Sequence, residues 1–281
     1  MSAINSLDTD PLTLNLEDDK ECSICDYKLS DLAIFNEGYF ITPLHRIMQK
    51  NCAECLKKIL DKLGSREELP ELKTCPGSKT ALHLAAESGS LSCLKLILPY
   101  LNIDELQRLD NDCNSPLFSA IINGNELCFQ LLLDYYLETH IMNHNVDIMD
   151  HNMDIMKYAI LNPLSGCSIL HIAAKNGQKA IMKIILSSKY DNFRHIPGFT
   201  VDTQQTNRWT PLMFASSNGY MECVKFLVKK GANILHNGNG NFVFNNTNAI
   251  QLAKTHEIAE YLLQRAYPPT MTKSAIRTPS L

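Results

Sequence analysis

The chain has 281 residues, of which 45% are hydrophobic and 20% charged, and its formal net charge is −4. This composition is typical of a folded globular protein and excludes a disordered chain. The slightly acidic balance argues against a nucleic-acid backbone as the main partner. No apolar run approaches about 18 residues, and residues 1–21 are acidic without a basic leader region, so we expect neither a membrane insertion nor a secretory signal. A cytoplasmic location is expected, with the nucleus as an alternative.

A short phrase of the type Thr-x-Leu-His-x-Ala-Ala recurs along the chain and is clearest at residues 80–86. Copies of varying quality start at positions 42, 80, 115, 168, 210 and 248. Such spacing is typical of solenoids built from identical supersecondary units. A solenoid offers a long surface and usually has no catalytic centre.

Each copy predicts a pair of helices. In the second copy, Thr80 is a helix N-cap residue, and apolar groups follow at helical spacing as far as Ser88. Gly89 ends this helix, and a second amphipathic helix runs from about Leu91 to Leu98. The position thirteen residues after the phrase start holds Cys55, Cys93, Cys128, Ile181 and Cys223. We therefore predict that these thiols are buried core residues of a protein from a reducing compartment.

The opening Thr-Pro-Leu-His, the stop glycine and the leucine-rich second helix resemble the ankyrin-repeat family. The resemblance covers residues 37–267 and is most specific in the second, fourth and fifth copies. It implies an all-α ankyrin-repeat solenoid of about six helix–turn–helix units with hairpin loops, curved into a concave surface that binds proteins. His45, His83 and His171 share one slot, and in this family that histidine hydrogen-bonds neighbouring loops.

Residues 1–36 form an acidic N-terminal segment, which is either a partial cap or loose. Cys22 and Cys25, taken with Cys52 and Cys55, have a spacing that zinc could use. Because Cys55 falls on the predicted core position, this interpretation conflicts with the repeat frame, and we expect no metal and no other cofactor. Phosphate-loop, zinc-protease and nucleophile-elbow motifs are absent from the sequence, so no enzymatic activity is expected.

Residues 137–160 form an insertion between the third and fourth copies. It contains a duplicated seven-residue segment, 144–150 and 151–157. The spacing predicts either a short amphipathic helix with methionines on one side or a duplication tolerated in an exposed loop. We expect the insertion to weaken the coupling between the flanking units, so that the chain unfolds in two steps.

The end of the repeat domain departs from the pattern. Residues 236–248 contain Asn-Gly turn signals, which predict either a projecting hairpin or a long loop that folds back on the last unit. The sixth copy is short between Lys254 and Ile258, and we interpret it as the C-terminal cap. Residues 268–281 are predicted to be a disordered tail.

In ankyrin-like units the partner meets the hairpin tips and the exposed side of the first helix. The residues in these slots are the candidates for binding a partner protein: Tyr39, Lys50, Lys79, Glu87, Asp112, Asn114, Lys175, Asn176, Asn207, Trp209 and Asn218. Trp209, the only tryptophan, is expected at a tip, either exposed as a binding hot spot or packed on the next hairpin. We expect the double variant Trp209→Ala/Lys175→Ala to keep its fold and to bind its partner more weakly.

The sequence therefore predicts a monomeric, non-catalytic scaffold or adaptor whose partner protein is unknown. An alternative is the cytosolic ankyrin array of a larger membrane protein such as a TRP-type channel, because irregular repeat lengths and long loops also resemble that group. A substrate receptor for ubiquitin ligation is a further alternative, although the tail is short for a recruiting box.

Overall fold

The computed structural model describes residues 43–63, 78–101, 103–143, 160–193, 198–239 and 245–268. Helices account for most of these ranges and follow the repeated phrases in pairs. In chain order they are Pro43–Gln49 (α1), Ala53–Leu63 (α2), Ala81–Ser88 (α3), Leu91–Ile97 (α4), Ile103–Leu106 (α5), Pro116–Ile122 (α6), Glu126–Asn143 (α7), Ile169–Lys175 (α8), Lys179–Ile185 (α9), Pro211–Asn218 (α10), Met221–Lys229 (α11) and His256–Ala266 (α12). Short 3-10 segments add Leu98–Tyr100 and Ser188–Phe193.

The helices stack in two rows. First helices pack in the order α1, α3, α6, α8 and α10, and second helices in the order α2, α4, α7, α9 and α11. Where the first helices meet, the small side chains of Ala85, Ala86, Ala173 and Ala174 are fully buried and allow close approach. One continuous hydrophobic core joins the units. The predicted all-α solenoid is therefore confirmed.

The hydroxyl residue that opens each clear phrase caps the helix that it starts. Thr80 Oγ1 accepts a hydrogen bond from the His83 backbone N–H, and His83 Nδ1 accepts one from the Thr80 N–H at 3.1 Å. Ser168 and His171 repeat this reciprocal cap. Caps of this kind typically contribute about 1 kcal/mol. As predicted, α3 spans Ala81–Ser88.

A residue in the left-handed backbone conformation ends the first helix of each complete unit. The glycines at this position are Gly89, Gly124, Gly177 and Gly219, with φ between 72° and 85°. In the first unit Asn51 takes this place with φ 55°, because asparagine tolerates this conformation better than most residues with a side chain. A side chain of the following unit also closes over the glycine, since a Cβ on Gly177 would lie 2.7 Å from the Tyr220 ring. Both the backbone angle and the lack of space therefore favour glycine.

The repeat-frame cysteines are core residues, as predicted. Cys55, Cys93, Cys128 and Cys223 are all buried, and the cysteines of the described ranges form no disulfide. Burial raises the pKa of the Cys93 thiol to about 12 and that of Cys128 and Cys223 to about 11. These thiols therefore stay protonated and serve packing.

The last unit is shorter than the others. Its first helix is reduced to hydrogen-bonded turns between Asn248 and Ala253, and its second helix, α12, closes the core with Ile258 and Leu262. The loop before it contains a two-stranded antiparallel hairpin, in which Gly238–Asn239 (β1) pairs with Asn245–Thr247 (β2).

The predicted insertion begins inside a helix. Helix α7 is unbroken from Glu126 to Asn143, and Tyr136 and Leu137 are buried along it. Residues 137–143 thus extend the second helix of the third unit, because the apolar pattern continues into them. The duplicated segment at 144–157 lies outside the described residues. Residues 1–36 with Cys22 and Cys25, and the tail after residue 268, also lie outside them.

Candidate functional site

The loop that precedes the third unit is a tightly hydrogen-bonded tip. One carboxylate oxygen of the buried Asp110 accepts the backbone N–H groups of Asp112, at 3.0 Å, and Asn114, at 2.8 Å. Cys113 adopts the left-handed conformation with φ 56°. The turn therefore holds Asp112 at an exposed position while its own backbone groups are satisfied.

A buried histidine of the preceding unit anchors this tip. His83 Nε2 lies 2.9 Å from the Asn114 carbonyl oxygen, and its Nδ1 already accepts the Thr80 N–H. The ring is therefore the neutral tautomer that carries its proton on Nε2 and donates it to Asn114. Burial lowers the pKa of His83, although the Asn114 carbonyl opposes this shift. This confirms the loop-bridging role implied for the phrase histidine.

The same bridge connects the fourth unit to the fifth. His171 Nε2 donates to the Trp209 carbonyl oxygen at 2.9 Å. Burial lowers the pKa of His171 to about 4, and the backbone carbonyls of Trp209 and Thr203 only partly offset that effect. Because the ring stays neutral at neutral pH, it can cap its own helix and hold the next loop at the same time.

The tip before the fourth unit is tied to the tip before the third by one buried amide. Asn162 Nδ2 donates to the carbonyl oxygens of Asp112, at 2.9 Å, and Cys113, at 3.0 Å. Its Oδ1 accepts the backbone N–H groups of Leu164 and Ser165 within its own turn. The amide thus shapes one tip and locks it to its neighbour. On this turn Leu164 is 72% exposed.

The tip before the fifth unit continues the series. Gln205 Oε1 accepts the Asn207 backbone N–H at 3.0 Å, and Thr206 Oγ1 donates to the Ser165 carbonyl oxygen, also at 3.0 Å. Three successive tips are therefore joined by hydrogen bonds. Asn207 is exposed at the end of the series.

In the second unit, a residue near the end of the first helix contacts the loop before the phrase. Lys79, just before the second phrase, forms an ion pair of 2.7 Å with Glu87 near the end of α3. At the position equivalent to Glu87, the third unit carries Ile122, which is 43% exposed, and the fourth carries the exposed Lys175. We call the tips at 110–114, 162–166 and 205–209, with Ile122 and Lys175, the tip surface.

Two of the predicted asparagines also cap helices. An asparagine at the end of each of three first helices donates Nδ2 to the carbonyl four residues earlier: Asn123 to Ser119, Asn176 to Ile172 and Asn218 to Phe214, at 2.9–3.0 Å. Because these carbonyls belong to helix C-termini, the amides stabilise the helices wherever a partner binds.

Trp209 is half-buried and does not project from its tip. Its ring lies 5.1 Å from that of Phe214, and its edge approaches the Gly238 backbone closely enough that a Cβ there would lie 3.0 Å away. This placement corresponds to the packed alternative. The double variant Trp209→Ala/Lys175→Ala would therefore remove a packing contact as well as surface chemistry.

The remaining predicted residues fall at the periphery or outside the described ranges. Lys50 is exposed at the end of α1 in the first unit, and Tyr39 lies outside the described residues. Ile122, Asn162 and Leu164 were not predicted as site residues. The run from Asn162 to Gly166 is a turn signature, and it could have identified the Leu164 tip.

The described ranges contain no group of three or more histidine, cysteine or acidic side chains that could hold a metal ion. Along the same ranges, no helix combines the length and the apolar character that crossing a bilayer requires.

Two curated proteins that are similar to this chain are cation channel proteins. Transient receptor potential cation channel subfamily A member 1 of Homo sapiens is 27% identical over 211 residues, which are 73% of this chain and 16% of the channel. Its homolog in Caenorhabditis elegans is 26% identical over 155 residues, which are 55% of this chain and 10% of that protein. The chain therefore spans less than a fifth of the length of these relatives.

Among solved structures, the crystal structure of the ankyrin repeat domain of Bcl-3 is similar, with a TM-score of 0.57 and 21% identity over 83% of this chain and 86% of that domain. This likeness shows the fold. The family model for ankyrin repeats in three copies matches residues 20–108, 44–145, 141–237 and 170–272. The chain belongs to the ankyrin-repeat family.

Proposed function

We propose that the chain is a non-catalytic adaptor or scaffold that binds a partner protein through the tip surface. Ankyrin repeats generally mediate protein–protein interaction, and the tip surface is the part of this chain best suited to it. The observation that carries the proposal is Leu164, a leucine that is 72% exposed on a turn fixed by hydrogen bonds. An exposed apolar side chain on a rigid support is a typical interface anchor.

The fixed conformation of the tips favours binding. Asp110, His83 and Asn162 already satisfy the backbone of the tip at 110–114, and Asn162 also fixes the tip at 162–166. A partner therefore meets a surface whose conformational entropy was lost on folding. Such preorganisation lowers the cost of association.

The chemistry of the tip surface favours a polypeptide partner. Leu164 and Ile122 supply apolar anchors. Asp112 supplies a negative charge, Lys175 a positive charge and Asn207 a neutral amide. An apolar centre with a mixed polar rim is the usual composition of a protein interface. Because the charges of the tip surface have both signs, the surface does not favour a highly charged polymer as its partner.

A photo-crosslinking experiment tests the proposal. A photoreactive amino acid replaces Leu164, and as a matched control it replaces Leu127, which is 65% exposed at the start of the second helix of the third unit. We expect a discrete crosslinked partner in cells from position 164 and none from position 127. Equal crosslinking from both positions, or from 127 alone, would place the interface elsewhere.

We further propose that the adaptor acts as a monomer in the cytoplasm. The repeat-frame cysteines, which are buried and form no disulfide, fit a reducing compartment. Light scattering of the purified chain and fractionation of cells test the two parts separately. A dimeric mass or a secreted pool would overturn the corresponding part.

A second candidate is the ankyrin array of a longer channel-like protein. It is favoured by the 27% identity over 211 residues to the human channel named above. An antibody against residues 80–230 tests it on endogenous protein. A band near the 31.6 kDa of this chain favours the adaptor, and a much larger membrane-associated band favours the array.

A further inference from the structure

The second helices of the fourth and fifth units present lysines toward each other. Lys179 and Lys183 lie one turn apart on α9, and Lys225 and Lys229 lie one turn apart on the neighbouring α11. A groove of about 570 Å³ is lined by Lys179, Lys183, Lys225, Phe226, Lys229 and Lys230. Lysines thus supply five of the six lining residues, around one aromatic ring.

Neighbouring groups neutralise only part of this charge. Glu222 lies 2.7 Å from Lys179 and 3.5 Å from Lys225, and these lysines lower its pKa. Lys183 and Lys229 are exposed and form no ion pair within the described ranges. With Glu222 counted, the cluster keeps four positive charges.

Lys230 is held in place from two sides. Its Nζ donates to the Leu186 carbonyl oxygen at 2.9 Å and lies 5.9 Å from the centre of the Phe226 ring. These contacts fix one ammonium group at the edge of the groove before any ligand arrives. The half-buried Phe226 ring forms a firm wall beside it.

The lysine cluster ends at the third unit. At the repeat positions of Lys225 and Lys229, the third unit carries Gln130 and Asp134. Asp134 pairs with Lys189 at 2.6 Å, so these two positions carry no positive charge in the third unit. The third unit therefore separates the cluster from the lysines of the first two units.

We propose that this groove binds a small polyphosphorylated anion. Its volume lies within the range of small-molecule sites. Ammonium groups bind phosphate as point charges, and several on one wall favour a ligand that carries several phosphates. A long acidic polypeptide would require a continuous basic track, which the third unit interrupts with Gln130 and the paired Asp134. The site lies on second helices and is independent of the tip surface.

Calorimetric titration with inorganic tripolyphosphate at about 0.15 M salt tests the proposal, since at this ionic strength long-range attraction is largely screened. The variant Lys183→Gln/Lys229→Gln removes two unpaired charges from the groove. The control Lys57→Gln/Lys58→Gln removes two exposed charges from α2. We expect saturable binding by the wild type and the control, and about tenfold weaker binding by the groove variant.

Two further probes identify the source of the phosphates and the limits of the site. The first probe is a vesicle of neutral lipid that contains phosphatidylinositol bisphosphate. If the chain binds these vesicles and tripolyphosphate releases it, the ligand is a lipid headgroup. If the chain does not bind them, the ligand is a free polyphosphate. The proposal is overturned if tripolyphosphate and vesicles both fail to bind, if the groove variant binds like the wild type, or if a hexaglutamate peptide binds as tightly as tripolyphosphate.

Discussion

Different residues donate hydrogen bonds to the loop carbonyl groups at two junctions of the solenoid. One junction lies between the third and fourth units, and the other lies between the fourth and fifth units. At the later junction, the helix residue His171 reaches forward and donates to the Trp209 carbonyl. At the earlier junction the same slot holds Phe118, which is fully buried and has no donor, and the loop residue Asn162 reaches back instead. The comparison indicates that the solenoid requires satisfied loop carbonyls at each junction, and that the donor can change.

The largest effect is expected at the earlier junction. Asn162→Ala would leave two loop carbonyls and two backbone N–H groups without their amide partner, at a position that is almost fully buried. We expect a loss of about 4 kcal/mol in the free energy of unfolding, measured in urea. The control Asn123→Ala removes one exposed helix-end hydrogen bond and should cost less than about 1 kcal/mol.

The Asn162→Ala variant also tests the effect of the insertion at 137–160 on unfolding. The two-step unfolding expected from it stays a prediction, and Asn162→Ala should separate the two steps further because it weakens the coupling of the third and fourth units. Superimposable transitions by circular dichroism and by Trp209 fluorescence, in both the wild type and the variant, would contradict it.

At the later junction, His171→Leu should cost about 3 kcal/mol. The change removes the Ser168 cap contact and the Trp209 bridge from a buried site. Met213→Leu alters the same slot of the fifth unit, where the buried side chain is already apolar, and should cost less than about 1.5 kcal/mol. Equal losses for the two variants would show that packing, and not the bridge, matters in this slot.

Acid should weaken the histidine junctions selectively. The pKa of His171 falls from its ordinary value of 6.5 to about 4 in the folded chain. Below pH 6.5 the unfolded chain gains a proton that the folded chain does not accept, so stability falls until the pH reaches about 4. His171 accounts for about 3 kcal/mol of this loss, and His83 adds to it in the same direction. Chemical unfolding at pH 7, 6, 5 and 4 should therefore show a smaller decrease for His171→Leu, and an identical decrease would refute the assignment.

A smaller effect is expected at the glycines that end the first helices. Gly177→Ala places a Cβ at φ 72° and 2.7 Å from the Tyr220 ring of the next unit. Gly231→Ala has a similar φ of 89° but nothing within 4 Å of the new atom. We expect losses of about 2 and about 1 kcal/mol, so that the difference in thermal unfolding reports the crowding at the junction. A larger loss for Gly231→Ala would refute this account of the junction.

Local features of the fold could be predicted because their causes lie close together in sequence. Thr80 caps the helix that begins one residue later, and Gly89 ends it through its own backbone angle. The burial of Cys93 and Cys223 followed from their place in the repeat frame. Each prediction required only the period and one local physical preference.

Features that depend on distant residues could not be predicted. Asn162 finds its partners about fifty residues earlier, in loops of unequal length that carry no repeated signal. Trp209 packs on Phe214 and near Gly238, and the choice between exposure and packing depended on that later hairpin. The groove lysines are ordinary surface residues in sequence, and only the packing of α9 beside α11 brings them together.

The central claim, that the tip surface binds a partner protein, is tested most directly by titrating the crosslinked partner against three folded chains. These are the wild type, Leu164→Ser and Leu127→Ser, which make the same chemical change at two exposed leucines. We expect Leu164→Ser to weaken binding by about tenfold or more and Leu127→Ser to leave it unchanged. Unchanged affinity for Leu164→Ser, with both variants as stable as the wild type, would contradict the account.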